Sequence, residues 1–279
     1  NRANDYTSIL FTKTECLRKY PGLNERYVKA GLFFPEEITV EPRTMIGRVH
    51  KYLKKKGVSI FYKAKVIECN ALNNEVSTQL ANGRMLMSAK VIICNGSDFK
   101  TLYPELFSTS DLEVSKLQMM KTKSQGDFKI SGSILTGLSI RRYEAFAECP
   151  SYLKIKSKEP MDSLEKKWGV HILFKQAMDG GVILGDSHEY ADADNIDDLG
   201  FDLNMDIDDL MLTRAKEIFS LPTYEIEQRW FGMYSQCKNS DIYERTIDRN
   251  IHIVTGIGGK GMTGSAGFSK QNIQQIFNI

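Results

Sequence analysis

Four glycines fall within six residues near the end of the chain, at Gly256, Gly258, Gly259 and Gly261. Gly256, Gly258 and Gly261 have the GxGxxG spacing with which a helix N-terminus approaches a pyrophosphate. The strand-like run Ile251 to Thr255 precedes them, and a helical pattern begins after Met262 and Thr263. The dinucleotide fingerprint does not complete itself here. It needs an acidic residue on a second strand about 20 residues further on, and no acidic residue stands between Gly261 and the last residue, Ile279. A nucleoside-triphosphate loop is excluded as well, because Lys260 is followed by Gly261 and not by Ser or Thr. What remains is a turn aiming backbone N–H groups at an electron-rich ligand, or a turn that serves only the backbone.

His188 lies in the polar cluster Asp186-Ser187-His188-Glu189, just after a predicted strand, Val182 to Leu184. There it can act as a base or orient a substrate, or it can be no more than a hydrogen-bonded turn residue. His50 falls on a predicted helix, and His171 and His252 on predicted strands; these three are assigned to structure. Arg141 and Arg142 are adjacent, so on a strand only one could enter a site. A guanidinium binds a phosphonate through two parallel hydrogen bonds, and a plain surface pair is the alternative. Arg229 beside Trp230 reads as a cation–π or packing pair, with Trp230 as core or pocket wall. No metal set is evident. The acidic stretch from Asp192 to Asp209 puts Ile196 and Asp197 where a calcium loop needs a ligand and a glycine, so it reads as a solvated loop and helix start. The five cysteines form no CxxC pair and have no zinc-ligand spacing.

The elements that must position these residues belong to an ordinary globular chain of 279 residues, 42% apolar and 26% charged. With 37 basic and 35 acidic residues the net charge is +2, which gives no field to attract nucleic acid or a membrane surface. No apolar run approaches the roughly 20 residues of a membrane span, and the unpaired cysteines suggest a reducing cytoplasm. The chain starts at Asn1, as a fragment or a processed product would.

Pro42 opens a predicted helix carrying Met45, Ile46, Val49 and Leu53 up to Gly57. Val58 to Phe61 and Ala64 to Cys69 read as strands, and a third lies between Asn74 and Asn82. Val91 to Cys94 suits a strand buried on both faces. From Leu117 onward alternating segments, Lys129 to Ile134, Val170 to Lys175 and Val182 to Leu184, predict a mostly antiparallel sheet. One helix interrupts it, with Ile207, Leu210, Met211, Ala215, Ile218 and Phe219 as its apolar stripe. The fold class is therefore α/β (α+β).

The segment Thr255 to Gly267, TGIGGKGMTGSAG, resembles the closing flavin-binding segment of the D-amino-acid oxidase and glycine oxidase superfamily. Leu32 to Arg43 is similar to that family's extended segment and Pro-Arg helix, and Ala89 to Gly96 to its buried strand ending beside the cofactor. The resemblance implies FAD as cofactor, with Val66, Asn95, Gly96, Gly256, Gly258, Gly259, Lys260, Gly261, Met262 and Thr263 around it. It implies a partial FAD-binding domain at 36–108 and 241–279, a substrate domain at 109–240 and a cap remnant at 1–35. It also implies that an N-terminal GxGxxG segment is lacking.

The strings Leu135 to Glu144, Gly185 to Tyr190 and Arg229 to Tyr234 look like a branch associated with aminophosphonates. The family's usual carboxylate-binding arginine is replaced by Tyr234. On this resemblance His188, Tyr234, Arg141 and Arg142 are the catalytic candidates and the partner is a small amine. Two readings follow: a flavoenzyme oxidising a C–N bond, or a truncated relative that binds without flavin.

Overall fold

The computed structural model describes residues 6–140 and 146–279. The chain divides into two units. The first comprises Asn1–Ser59, Leu117–His188 and Asp202–Gly232, and the second Ile60–Lys116, Glu189–Phe201 and Met233–Ile279. The fold is mixed α/β with mainly antiparallel pairing.

β1 (Ile9–Thr12) and β2 (Ala30–Phe33) pair antiparallel, with α1 (Lys13–Lys19) between them in sequence. Thr12 caps α1: its hydroxyl accepts from Glu15 N at 3.3 Å, and the Glu15 carboxylate accepts from Thr12 N at 2.7 Å. Losing such a cap costs about 1 kcal/mol. Thr12→Ala should therefore lower the urea midpoint by that equivalent while Ser8→Ala, in the preceding loop, leaves it in place.

α2 (Pro42–Lys55) carries proline in its first turn and closes before Gly57, whose φ is +88°. β3 (Val66–Leu72), β4 (Glu75–Leu80) and β5 (Met85–Ser88) form an antiparallel meander. β6 (Val91–Ile93) and α3 (Pro104–Ser108) follow, then the long β7 (Leu112–Ser124) and β8 (Ser133–Leu135). Three short helices come next, α4 (Gly137–Ile140), α5 (Tyr152–Lys156) and α6 (Leu164–Lys167), before β9 (Leu173–Gln176), β10 (Gly181–Gly185) and β11 (Glu189–Asp192). The chain ends with α7 (Met205–Ile218), β12 (Ile226–Cys237), β13 (Tyr243–Ile247), β14 (Ile251–Thr255) and α8 (Gly261–Phe277).

In the first unit, β10 pairs with β9 on one side and with Met119–Ser124 of β7 on the other, and β9 pairs with β8. Phe174, Val182 and Leu184 from this sheet meet the stripe of α7, where Ile207, Leu210, Met211, Ala215 and Ile218 are buried together with Phe219. The helical period of the sequence thus marks the buried face correctly. In the second unit β14 runs parallel to β6 and antiparallel to β13. Ile93, Ile251 and Ile253 of these strands share a core with Val76, Phe107, Leu112 and Val114.

Several sequence expectations fail. Val58 to Phe61 forms no strand, because Val58 N donates back to Leu53 O at 3.1 Å and the segment closes α2 instead. Most of Lys129 to Ile134 is loop. There the side chain of Gln176 takes the place of a strand ladder, its Oε1 accepting from Ile130 N at 2.9 Å and its Nε2 donating to Phe128 O at 2.8 Å. β9 begins only at Leu173, so His171 precedes the strand, and α4, α5 and α6 occupy part of the region expected to be sheet. β6 is not buried on both faces: Ile93 is buried, Val91 and Ile92 are half-buried and Cys94 is exposed. Among the described strands β6 pairs with β14 alone. No helix among the described residues is long and apolar enough to cross a membrane.

Candidate functional site

The glycine segment lies in the second unit and adopts the expected strand, turn and helix. β14 ends at Thr255, Gly256 turns with φ +75° and Gly258 with φ +65°, Gly258–Lys260 make a short 3-10 turn, and α8 starts at Gly261. Two glycines are needed for packing as well as for conformation. A Cβ at Gly256 would lie 2.6 Å from Leu112 Cδ2 and 2.9 Å from Cys237 Sγ, and one at Gly258 would lie 3.1 Å from Gln236 Cβ. The turn is pressed against β12, with which Ile257 forms an antiparallel bridge through Gln236.

Ser235 and Thr255 lock this turn to the end of β6. Ser235 Oγ accepts from Gly256 N at 3.2 Å and donates to Gly96 O at 3.0 Å, and Thr255 Oγ1 donates to the same carbonyl at 2.8 Å. Sequence reasoning misses both hydroxyls, since nothing in their local pattern marks them. Gly96, expected with Asn95 among the cofactor residues, is joined to the turn through its carbonyl. Burial raises the pKa of the nearby Cys237 thiol, partly offset by a hydrogen bond to Ser240, which keeps it an uncharged packing group. His252, on β14, has its pKa lowered by burial and then by Lys90, which favours the neutral ring.

The remaining glycines need a different explanation. Gly264 and Gly267 lie inside α8, where glycine costs about 1 kcal/mol relative to alanine. Nothing lies within 4 Å of a Cβ built at either, or at Gly96. Gly259 is nearly as open, its Cβ position 3.6 Å from the hydroxyl of Tyr234. At Gly261 a Cβ would lie 3.0 Å from Ile257 Cγ2, so that position is filled, whereas Gly264 and Gly267 leave one face of α8 bare. Asn95 Oδ1 is buried without a hydrogen-bond partner while its amide nitrogen donates to Asp98 O at 2.5 Å. An unfilled acceptor, left-handed glycine turns and an open helix face suit a large flat ligand with hydrogen-bond donors.

The other predicted cofactor residues are less uniform. The side chain of Lys260 pairs with Asp241 at 2.6 Å, Met262 is exposed, Thr263 lies in the first turn of α8, and Val66 packs half-buried against the second-unit core.

In the first unit His188 is buried in a cluster with His171 and Asp186. His188 Nδ1 lies 3.3 Å from Gly169 O, and its ring stacks on that of His171 with centroids 5.2 Å apart. His171 is thus more than a strand residue, and Asp186 was missed. The sequence signal for the cluster, Asp186 two residues before His188, is short, and His171 stands far from it. Arg229 forms neither of the pairs expected with Trp230 as its main contact: its Nε pairs with the buried Asp208 carboxylate at 2.7 Å. Arg141 and Arg142 lie outside the described residues.

No curated protein matches the chain in sequence. Among solved structures it is similar to glycine oxidase from Geobacillus kaustophilus, at 12% identity and a TM-score of 0.73 over 99% of this chain and 65% of that one. Glycine oxidase from Bacillus cereus aligns with a TM-score of 0.73 and 16% identity, over 99% and 66% of the two chains. The dithionite-reduced L-alpha-glycerophosphate oxidase from Mycoplasma pneumoniae with FAD bound aligns at 0.71 and 15%, over 100% and 67%. The chain spans about two thirds of the length of these proteins, and the likeness is one of fold. Residues 1–272 match the family described as DAO, FAD dependent oxidoreductase. With a family match over nearly its whole length and the family's strand, glycine turn and helix in place, the chain belongs to the DAO family of FAD dependent oxidoreductases.

Proposed function

We propose that this chain is the flavin-facing and substrate-facing part of an oxidoreductase that oxidises the C–N bond of a small amine, and that the preferred substrate is a short aminophosphonate. The observations that carry the flavin part are the open positions at Gly264 and Gly267 on α8 and the unpartnered, buried Asn95 Oδ1. FAD supplies the two-electron acceptor for such a reaction. The chain's own contribution is to hold it: backbone N–H groups at the start of α8 and the helix dipole favour negative charge nearby, and the Ser235–Gly96–Thr255 lock keeps the turn rigid. Tyr234, whose hydroxyl faces Gly259, is assigned to substrate contact.

The aminophosphonate assignment rests on residue types. Tyr234 stands where the resembled family carries a carboxylate-binding arginine, and Arg141 and Arg142 offer the planar fork that a phosphonate needs. His188, buried and hydrogen-bonded just before β11, is assigned a positioning role within its own unit and no contact with substrate. NikD, an unusual amino acid oxidase, shares the fold, and its chemistry agrees with an amine substrate.

Gly264→Ala tests the flavin part. Filling open space inside a helix should raise the stability of the flavin-free chain by about 1 kcal/mol, while a methyl group on the ligand face should weaken FAD binding, read from the visible absorption of flavin retained after gel filtration. If both proteins retained flavin equally, or neither retained any, α8 would not be a flavin surface.

A further inference from the structure

We propose that His171, Asp186 and His188 form a binding site for one divalent first-row transition-metal ion, independent of the flavin reading. The three side chains are 7%, 8% and 5% exposed, and one ligand atom from each lies within 4.8 Å of the others. Asp186 Oδ1 is 2.9 Å from His171 Nε2, and Asp186 Oδ2 is 3.8 Å from His188 Nε2. Ligands in a tetrahedral zinc site, with bonds near 2.0–2.1 Å, stand about 3.3 Å from one another, between these two separations.

The hydrogen bonds behind the imidazoles decide what faces the carboxylate. Gly169 O can only accept, so at 3.3 Å it takes the proton of His188 Nδ1. Ser139 Oγ lies 2.9 Å from His171 Nδ1 and 3.4 Å from Ile172 O, so the hydroxyl engages the outer side of that ring. With both Nδ1 atoms engaged on their outer sides, each ring turns its Nε2 toward Asp186.

Asp186 Oδ1 is buried and makes no well-oriented hydrogen bond, although a ring nitrogen lies 2.9 Å away. A cation between the three atoms resolves this. It would take both Nε2 atoms as ligands and neutralise the carboxylate, with Ser139 Oγ and Gly169 O as the outer partners that commonly orient metal-bound imidazoles.

Two nitrogens and one oxygen suit zinc or a neighbouring ion better than calcium or magnesium, and a fourth position remains for water. Backbone bonds hold the ligand segments together without the ion: His171 N donates to Asp186 O at 3.0 Å and His188 N to Trp168 O at 2.9 Å. The ion would clip the start of β9 to the end of β10, a structural role. No family of ligands is legible in the sequence, because residue 171 and the pair 186 and 188 converge only through the β9–β10 pairing.

The test uses the whole chain, expressed in zinc-supplemented medium and analysed for metal, then refolded with cobalt(II) as a spectroscopic probe. One zinc per chain, and the visible ligand-field bands of nitrogen- and oxygen-bound cobalt, are expected. Ser139→Ala, which leaves all three ligands in place, should weaken zinc binding by about 10- to 100-fold, as loss of an outer partner does. The double variant His171→Asn, His188→Asn should abolish the cobalt bands. The proposal is overturned if the parent chain holds no zinc and gives no cobalt spectrum, or if Ser139→Ala binds zinc as tightly as the parent. Cobalt bands persisting in a folded double variant would overturn it too. Failure of that variant to fold leaves the metal content of the parent and the Ser139→Ala affinity to decide.

Discussion

Gly256→Ala should lower the stability of the protein by about 3 kcal/mol, the sum of roughly 1 kcal/mol for an alanine held at positive φ and about 2 kcal/mol for overpacking. The new methyl group would meet Leu112 Cδ2 at 2.6 Å and Cys237 Sγ at 2.9 Å, and the backbone there sits at φ +75°. Neither neighbour can retreat easily, because Leu112 belongs to the second-unit core and β12 carries Cys237. For a chain of this size the loss corresponds to a fall in melting temperature on the order of 10 °C. Thermal and urea denaturation of the flavin-free chain would measure it. A change below about 1 kcal/mol would mean that the turn relaxes freely and is not the rigid element described. Gly264→Ala is the matched control, since alanine enters open space there and should stabilise.

The second large effect is on substrate use. Alanine at one of Arg141 and Arg142 should reduce kcat/KM for a short aminophosphonate by the equivalent of about 2 to 5 kcal/mol, the usual cost of losing a bidentate charged contact. That is on the order of a hundredfold or more. The neighbouring substitution should do little, since the assignment needs only one guanidinium for the phosphonate. The flavin-loaded enzyme, assayed with aminophosphonates, glycine and D-amino acids, provides the comparison. Turnover of glycine as fast as any aminophosphonate, or full activity in both arginine variants, would remove the phosphonate assignment and leave amine oxidation standing. Tyr234→Phe complements it, and should affect KM more than stability because Tyr234 is only half-buried on β12.

The strand Ile251–Thr255, the left-handed glycine turn and the following helix were legible in the sequence because each is set by local chemistry. β-Branched residues favour the strand, glycine alone adopts positive φ without cost, and the helix then follows from its periodicity. The buried stripe of α7 was legible for the same reason. Those local features, with the family strings around them, were enough to point to a flavin-dependent oxidoreductase of mixed α/β fold.

What the sequence could not specify was pairing at a distance. Val58 to Phe61 has strand-like residues, but its backbone is taken by the end of α2. Lys129 to Ile134 alternates correctly, yet the Gln176 side chain supplies the bonds that a neighbouring strand would have made. Arg229 sits beside Trp230 in sequence but pairs with Asp208 across the first unit. His171, Asp186 and His188, and the Ser235–Gly96–Thr255 lock, join residues separated along the chain. Their positions depend on which strands lie side by side, and many sequence-distant contacts must form together before any one of them is stable. Local propensity therefore determined the elements and the glycine turn, while the tertiary structure alone decided which polar side chains meet in the interior.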